Sequence, residues 1–324
     1  MKKNIAIIMG GFSSEVDISL KSSGVVYSHL DKNTYNAYQI HILKDRWVLV
    51  DEDEKEYPID KNNFSVDLDG KQITFDCVFN AIHGAPGENG MILAYFDLIG
   101  MRHTSASFYQ MALTFNKRDT LSVVKQYGIP AATSVYVNKG DAIDTQQIIN
   151  NVGLPCFIKP NNAGSSFGIS KAHTEADIIP GIEKAFLEDH EILIESFLDG
   201  TEVSVGVIEY KEKITVLPIT EIISENDFFD YEAKYEGKSQ EITPARISKS
   251  ETKKVEEIAK KIYHILGMSG FSRSEFILVD GEPHFLEMNT VPGLTKESLL
   301  PLQASKAGIS LSELFDNAIQ MALK

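Results

Sequence analysis

The feature that most constrains this chain is a change of period repeated along its first hundred residues. An apolar run, Asn4 to Met9, breaks directly into Gly10-Gly11, and an amphipathic stretch from Ser14 to Leu30 follows. Apolar runs return at Ala37 to Ile42 and Phe75 to Ile82, with Met91 to Ile99 beyond. Alternating strand and helix signals of this kind predict βαβ units and an α/β layer structure. Between Lys44 and Gln72 the sequence turns polar, with Trp47 to Val50 as a short hairpin strand, and reads as an insertion on the first unit.

A helical pattern from Ser107 to Tyr127, closed by Gly128 with Pro130 beyond, opens a second α+β unit that runs to the apolar stretch Glu191 to Glu195. A third unit holds strands Thr201 to Tyr210 and Lys213 to Ile219, an excursion from Ile222 to Thr243 without regular period, and a helix from Glu251 to Leu266. Ser250 is the expected N-cap of that helix and Gly267 its stop. The division predicted is 1–105, 106–194 and 195–324, and 324 residues are enough for two or three packed domains.

Composition excludes several function classes. Hydrophobic residues at 43% and charged residues at 24% are far from the signature of disorder. The net charge of −15 repels nucleic-acid backbones and anionic membranes, so partners among small molecules are expected. The first apolar run is too short for a signal-peptide core, and no stretch approaches the roughly 18 apolar residues of a spanning helix. Cys77 and Cys156 both sit in apolar runs, as structural thiols of a soluble cytoplasmic protein do.

The sharpest chemical reading comes from the segment Phe271 to Asn289. If Asp280 to Glu282 form a three-residue loop, Glu275 lies opposite Glu287 and Arg273 opposite Asn289, while Phe276, Leu278, Leu286 and Met288 fill the other face. A two-residue Asp280-Gly281 turn would set Glu275 against Leu286, so the pattern predicts the longer loop. Opposed carboxylates need a neutralising partner, and Glu275, Glu287 and Asn289 offer hard oxygen ligands suited to Mg²⁺. From the hairpin alone a solvated, charged sheet face is the commoner arrangement.

Other segments add weaker signals. Lys159 ends an apolar strand and enters NNAGSSFG (161–168), whose backbone amides could cradle phosphates although the spacing is not that of a Walker loop. Lys117 in NKRDT and Lys234 in DYEAKY are, taken singly, ordinary lysines. In GGFSSE (10–15), Ser14 can cap the next helix, and Glu15 either complements its dipole or holds a ligand ammonium. His83 in HGAPGENG (83–90) is as readily a structural histidine as a ligand contact.

Taken in order, GGFSSE, HGAPGENG, NKRDT, CFIKPNNAGSSFG, LIESFLDGTE, DYEAKY and EMNTVPGLTKESL resemble the blocks of D-alanine:D-alanine ligases, within the ATP-grasp superfamily, over essentially the whole chain. The resemblance implies an ATP-grasp fold behind a Rossmann-like amino-terminal domain. It implies ATP between the second and third units, with Lys117 and Lys159 on the phosphates, Glu195, Phe197 and Leu198 on adenine, Glu202 on the ribose, and Lys234 reaching the nucleotide with the lid. Glu275, Glu287 and Asn289 would hold two Mg²⁺ ions, with Mn²⁺ as an alternative. One D-alanine would become an acyl phosphate that the amine of a second displaces. Glu15 would anchor the first ammonium in a hydrogen-bond set with Ser165 and Tyr235, with His83 also at the substrate. Ser298 would hold the second carboxylate, and Arg273 with the Gly293 amide would stabilise the oxyanion. The excursion 222–243 would be a lid, and the chain a homodimer through its first domain.

This chain departs from the family pattern at Arg273-Ser274-Glu275, where Arg-x-Asp is usual, and carries Glu297 just before Ser298. A D-alanyl-D-lactate ligase and a nucleotide-binding homologue without turnover are the alternatives; Tyr235 favours the dipeptide, and retention of Glu15, Lys159, Arg273, Glu287 and Asn289 favours turnover.

Overall fold

The computed structural model describes residues 2–51, 53–224 and 239–324. Its first sheet is centred on β1 (Lys3–Gly10), buried from Ile5 to Gly10 and paired in parallel with β2 (Tyr35–Ile42) and β7 (Cys77–Asn80). Helix α1 (Val16–His29) makes the crossover between β1 and β2. The polar segment expected as an insertion is instead part of this sheet. Strands β3 (Trp47–Val50), β4 (Glu56–Asp60), β5 (Ser65–Leu68) and β6 (Lys71–Ile73) continue it as an antiparallel meander, giving the order β6-β5-β4-β3-β2-β1-β7. One-sided burial explains why these short strands lack a continuous apolar run. Cys77 and Cys156 are both buried free thiols, and burial pushes Cys77 up to about 12.

After α2 (Met91–Leu98), the single helix expected over 107–127 is two, α3 (Phe108–Phe115) and α4 (Lys117–Gln126). Asn116 takes extended dihedrals and its side chain accepts a hydrogen bond from the Asp119 N–H, so it breaks one helix and caps the next. Lys117 thereby becomes the first residue of α4. Strands β8 (Ser134–Asn138), β9 (Cys156–Pro160), β10 (Ser170–Ala172) and β11 (Glu191–Ser196) form an antiparallel sheet, ordered β10-β9-β11-β8, with α5 (Thr145–Val152) and α6 (Ile178–Ala185) packed on it.

The third sheet runs β15-β14-β12-β16-β17 through β12 (Thr201–Tyr210), β14 (Thr220–Ser224), β15 (Ser239–Ile242), β16 (Phe271–Val279) and β17 (Glu282–Asn289), with β13 (Lys213–Val216) paired to β12. Both ends of the excursion 222–243 are therefore strand: β14 and β15 pair from Glu221↔Ile242 to Ser224↔Ser239. Lys234 and Tyr235 lie outside the described residues. Helix α7 (Lys249–Ile265) starts earlier than expected, because Ser248 rather than Ser250 caps it in a reciprocal box with Glu251. Helices α8 (Leu299–Lys306) and α9 (Leu311–Ala322) follow.

The hairpin β16–β17 keeps the expected ionic pairs, Arg273↔Asn289 and Glu275↔Glu287, but reaches them differently. Val279 pairs with Glu282, so the turn is the two-residue Asp280-Gly281, with φ of 50° and 75°. A register shift between Glu275 and Phe276 makes Leu286 an extra residue. Phe285, not Leu286, consequently lies opposite Phe276 in the core.

Apolar packing joins the first and third sheets: Ala6, Ile8 and Phe96 share one cluster with Val203, Val205 and Phe276, and Ile5 and Ile7 share another with Phe315 and Ile319 of α9. The four-stranded sheet has its own core of Ile158, Ile182 and Ile194. Replacing Asn116 by Ala should cost about 1 kcal/mol at the start of α4. Hydrogen exchange should report it as roughly fivefold faster exchange confined to the first turn of that helix.

Candidate active site

Two neighbouring cavities meet along the ionic face of the β16–β17 hairpin. The larger, about 420 Å³, lies between the four-stranded and third sheets. Its walls carry Lys159, Glu195, Phe197, Leu198, Glu202, Glu275 and Glu287 of the residues singled out from sequence. Phe157, Ile169, Ile277 and the bulged Leu286 supply an apolar lining. The smaller, about 50 Å³, is walled by Glu15, His83, Ser165, Arg273, Asn289 and Gly293, together with Glu88, Val291 and Pro292. The cross-strand pair Glu275↔Glu287 thus faces the large cleft and the next pair, Arg273↔Asn289, the small cavity.

The opposed carboxylates have neutralising neighbours. Arg273 Nη1 donates to Glu275 Oε1 and, at 3.2 Å, to the Ser204 hydroxyl. Lys117 Nζ lies 3.4 Å from Glu287 Oε2 and donates to the Ala163 carbonyl at 2.7 Å, so its place at the start of α4 ties the metal-type carboxylate to the glycine-serine loop. Lys159 Nζ sits 2.7 Å from Glu195 Oε2. Burial opposes the Lys159 charge, but Glu195, Glu287 and Glu202 outweigh it and hold the ammonium above the usual lysine range. Two carboxylates and the Asn289 amide are hard donors, and Asn289 Nδ2 lies 3.4 Å from Glu287 Oε1. Among the described residues no group of three or more His, Cys, Asp or Glu converges. Two carboxylates and one amide oxygen would fit a hard divalent ion and would supply only part of its ligands.

At the amino end, Ser14 does not cap α1. Glu15 occupies the N-cap position without a side-chain cap bond, and its Oε1 accepts from the Ser165 hydroxyl at 2.6 Å across 150 positions of chain. Ser165 and Ser166 adopt φ of 49° and 59°, a left-handed turn that brings the loop tip onto Glu15. A Cβ on Gly164 would lie 2.6 Å from both Glu15 carboxylate oxygens, so any larger residue there would displace the Glu15 carboxylate.

His83 is buried, with Nε2 2.9 Å from the Ser22 hydroxyl, and burial lowers its pKa below the ordinary imidazole range. Ser298 caps α8 by position. Its hydroxyl lies 2.9 Å from that of Thr295 and within 2.7 Å of where a Gly293 Cβ would stand. It is therefore beside the small cavity and not among its walls.

Sequence reasoning missed Glu88, Asn161 and Ser22. Asn161 is fully buried: its carbonyl and side chain accept the Lys117 and Arg118 amides, and its Nδ2 donates to Glu191. Glu88 is 6% exposed, and burial followed by the nearby Glu15 carboxylate pushes its own carboxyl group up. The available signal for Glu88 was an acid inside a glycine-rich loop following a strand.

Among the described residues no helix is long and apolar enough to cross a membrane. The family descriptions "D-ala D-ala ligase N-terminus" and "D-ala D-ala ligase C-terminus" match residues 4–106 and 123–320. A D-alanine–D-alanine ligase of Flavobacterium johnsoniae is 67% identical over 321 residues, 99% of each chain. The crystal structure of VanG D-Ala:D-Ser ligase from Enterococcus faecalis superposes with a TM-score of 0.87 at 30% identity, covering 99% of this chain and 100% of that one. A D-alanine–D-alanine ligase from Bacillus anthracis, complexed with ATP, gives 0.80 at 25% identity, covering 99% and 97%. With both halves of the family description matched and two positions in three shared with a full-length relative, this chain belongs to the D-alanine:D-alanine ligase family and carries its α/β ATP-grasp fold.

Proposed function

We propose that this chain joins two D-alanines into D-alanyl-D-alanine, coupled to cleavage of ATP to ADP and phosphate, and so supplies a precursor of peptidoglycan. The observation that carries the reading is the junction of the two cavities along one hairpin: a nucleotide-sized cleft with lysines and carboxylates opens beside a small polar cavity holding Glu15 and Arg273. The full-length relative at 67% identity bears the same name.

In this reading Lys117 and Lys159 grip the phosphates, the apolar lining with Glu195, Phe197 and Leu198 takes adenine, Glu202 takes the ribose, and Lys234 reaches the nucleotide. Glu275, Glu287 and Asn289 hold two Mg²⁺ ions. When bound, these neutralise charge on the phosphates and orient them. Glu15, fixed by Ser165 and joined by Tyr235, holds the first D-alanine's ammonium. His83 and Arg273 bind on the same substrate, whose carboxylate attacks the γ-phosphorus while ADP leaves. Ser298 holds the carboxylate of the second D-alanine. Its amine attacks the acyl phosphate, the oxyanion is met by Arg273 and the Gly293 amide, and phosphate departs as the amine loses its proton. The lid expected of residues 222–243 falls largely on 225–238, which lie outside the described residues. Domains 1–105, 106–194 and 195–324 and a cytoplasmic location complete the proposal. The lactate-using and non-catalytic alternatives are not favoured.

Incubation with D-alanine, Mg²⁺ and ATP should release phosphate and yield the dipeptide by mass spectrometry; no D-alanine-dependent phosphate release would reject the ligase reading. Glu287→Gln should lower kcat by at least about 1000-fold, as expected for several kcal/mol of lost metal-borne stabilisation, with little change in melting temperature. Full activity in that variant would refute the metal assignment. Assembly as a homodimer through the first domain is supported by the exposed Met91 (64%) and Leu98 (87%) of α2. Light scattering should give twice the chain mass of 36.0 kDa, and Leu98→Glu should return the monomer.

A further inference from the structure

The turn 290–294 leaves the third sheet and carries Gly293 into the small cavity. Its backbone amides are satisfied in an uneven way. The Thr290 and Val291 N–H groups donate to Glu88 Oε1 at 3.1 and 3.4 Å. Pro292 has no N–H, and Leu294 donates to the Ser22 hydroxyl at 3.3 Å. Among the described residues the Gly293 N–H makes no hydrogen bond, and Gly293 lines the cavity. The other oxygen of Glu88 accepts the Gly84 amide at 3.2 Å, while the Glu88 N–H returns to the Gly84 carbonyl at 2.7 Å. One buried carboxylate thus clamps the loop that follows β7 to the turn that follows β17, 202 positions apart.

We infer that Glu88 is a positioning residue of the ligase reaction, which sets the Gly293 amide against Glu15 and His83 by holding the two loops in one register. This rests on the proposed ligase reading. Buried N–H groups must find acceptors, so loss of Glu88 would let Thr290 and Val291 seek others and would turn the Gly293 amide away from the oxyanion position. Misplacement by about 1 Å in such a site costs on the order of 100-fold in rate. The nucleotide cleft contains no Glu88 contact and should not notice.

Steady-state kinetics on wild type, Glu88→Ala and Glu88→Gln test the inference, with wild-type D-alanine-dependent phosphate release as the control for the ligase reading itself. Glu88→Ala should lower kcat/KM for D-alanine about 100-fold while KM for ATP stays within about twofold. Glu88→Gln, whose Oε1 can still accept from Thr290 and Val291 while its Nε2 cannot accept the Gly84 amide, should recover to within about tenfold of wild type. Should the alanine variant fail to fold, Glu88→Asp, one methylene short of both loops, takes its place with the same expected loss. An active wild type whose alanine or aspartate variant keeps its D-alanine kcat/KM within threefold overturns the inference, as does equal loss for ATP and D-alanine or a glutamine variant no better than alanine.

Discussion

The site depends on two carboxylates held directly across a β-hairpin from one another. At a cross-strand separation of about 5 Å and an effective dielectric near 20, Glu275 and Glu287 would repel by roughly 3 kcal/mol. The fold answers with a cation for each: Arg273 from the same strand for Glu275, and Lys117 from the start of α4 for Glu287. Lys159 and Glu195 repeat the arrangement on the opposite wall. A chain of net charge −15 thereby keeps Lys117, Lys159 and Arg273 around the hairpin, each already matched to an acid. In the proposed reaction Glu275 and Glu287 would hold divalent ions that neutralise phosphate charge, and Lys117 and Lys159 would turn to the phosphates.

Packing explains where that cleft can be. The first and third sheets share two apolar clusters, so Glu15, His83 and the hairpin sit on one continuous body. The four-stranded sheet, which carries Lys159, the glycine-serine loop and Glu195, closes its own core. Where this sheet meets the larger body, joined to its core through Leu193 of β11, the interface need not be filled by side chains throughout, and there the 420 Å³ opens. The hydrogen bond from Ser165 to Glu15 and that from Lys117 to Ala163 bring the loop of one body onto the other.

Local chemistry was legible in the sequence and distant chemistry was not. Alternation along 271–289 was enough to place Glu275 against Glu287, because burial of one sheet face leaves only one parity open. The break between α3 and α4 was hidden because apolar periodicity continues through Asn116, and only its side-chain bond to the Asp119 amide reveals a cap. Ser14 looked like the cap of α1 by residue type, yet Glu15 occupies that position, turned towards a serine 150 residues away. Glu88 showed only as an acid inside a glycine-rich loop, and nothing local told of its clamp, since its partners are amides that any residue carries. The meander 47–73 escaped notice because strands with one wet face and few residues resemble loops in composition.

The hairpin shows how two local preferences that conflict can both be met. Asp280-Gly281 strongly favours a two-residue turn, with both residues at positive φ. That turn, continued without irregularity, sets Glu275 against Leu286 and places a carboxylate among Phe276 and Phe285. A single extra residue resolves the conflict. The two-residue turn already sets Phe285 in the core opposite Phe276, and with Leu286 bulged out everything beyond regains the parity that joins acid to acid and arginine to asparagine. Leu286 is then delivered to the cleft beside Ile277, where an apolar surface suits the face of a base. The bulge therefore has two consequences from one insertion: an apolar patch in the larger cleft and the ionic register next to it. Removing it while keeping the turn would disrupt both together.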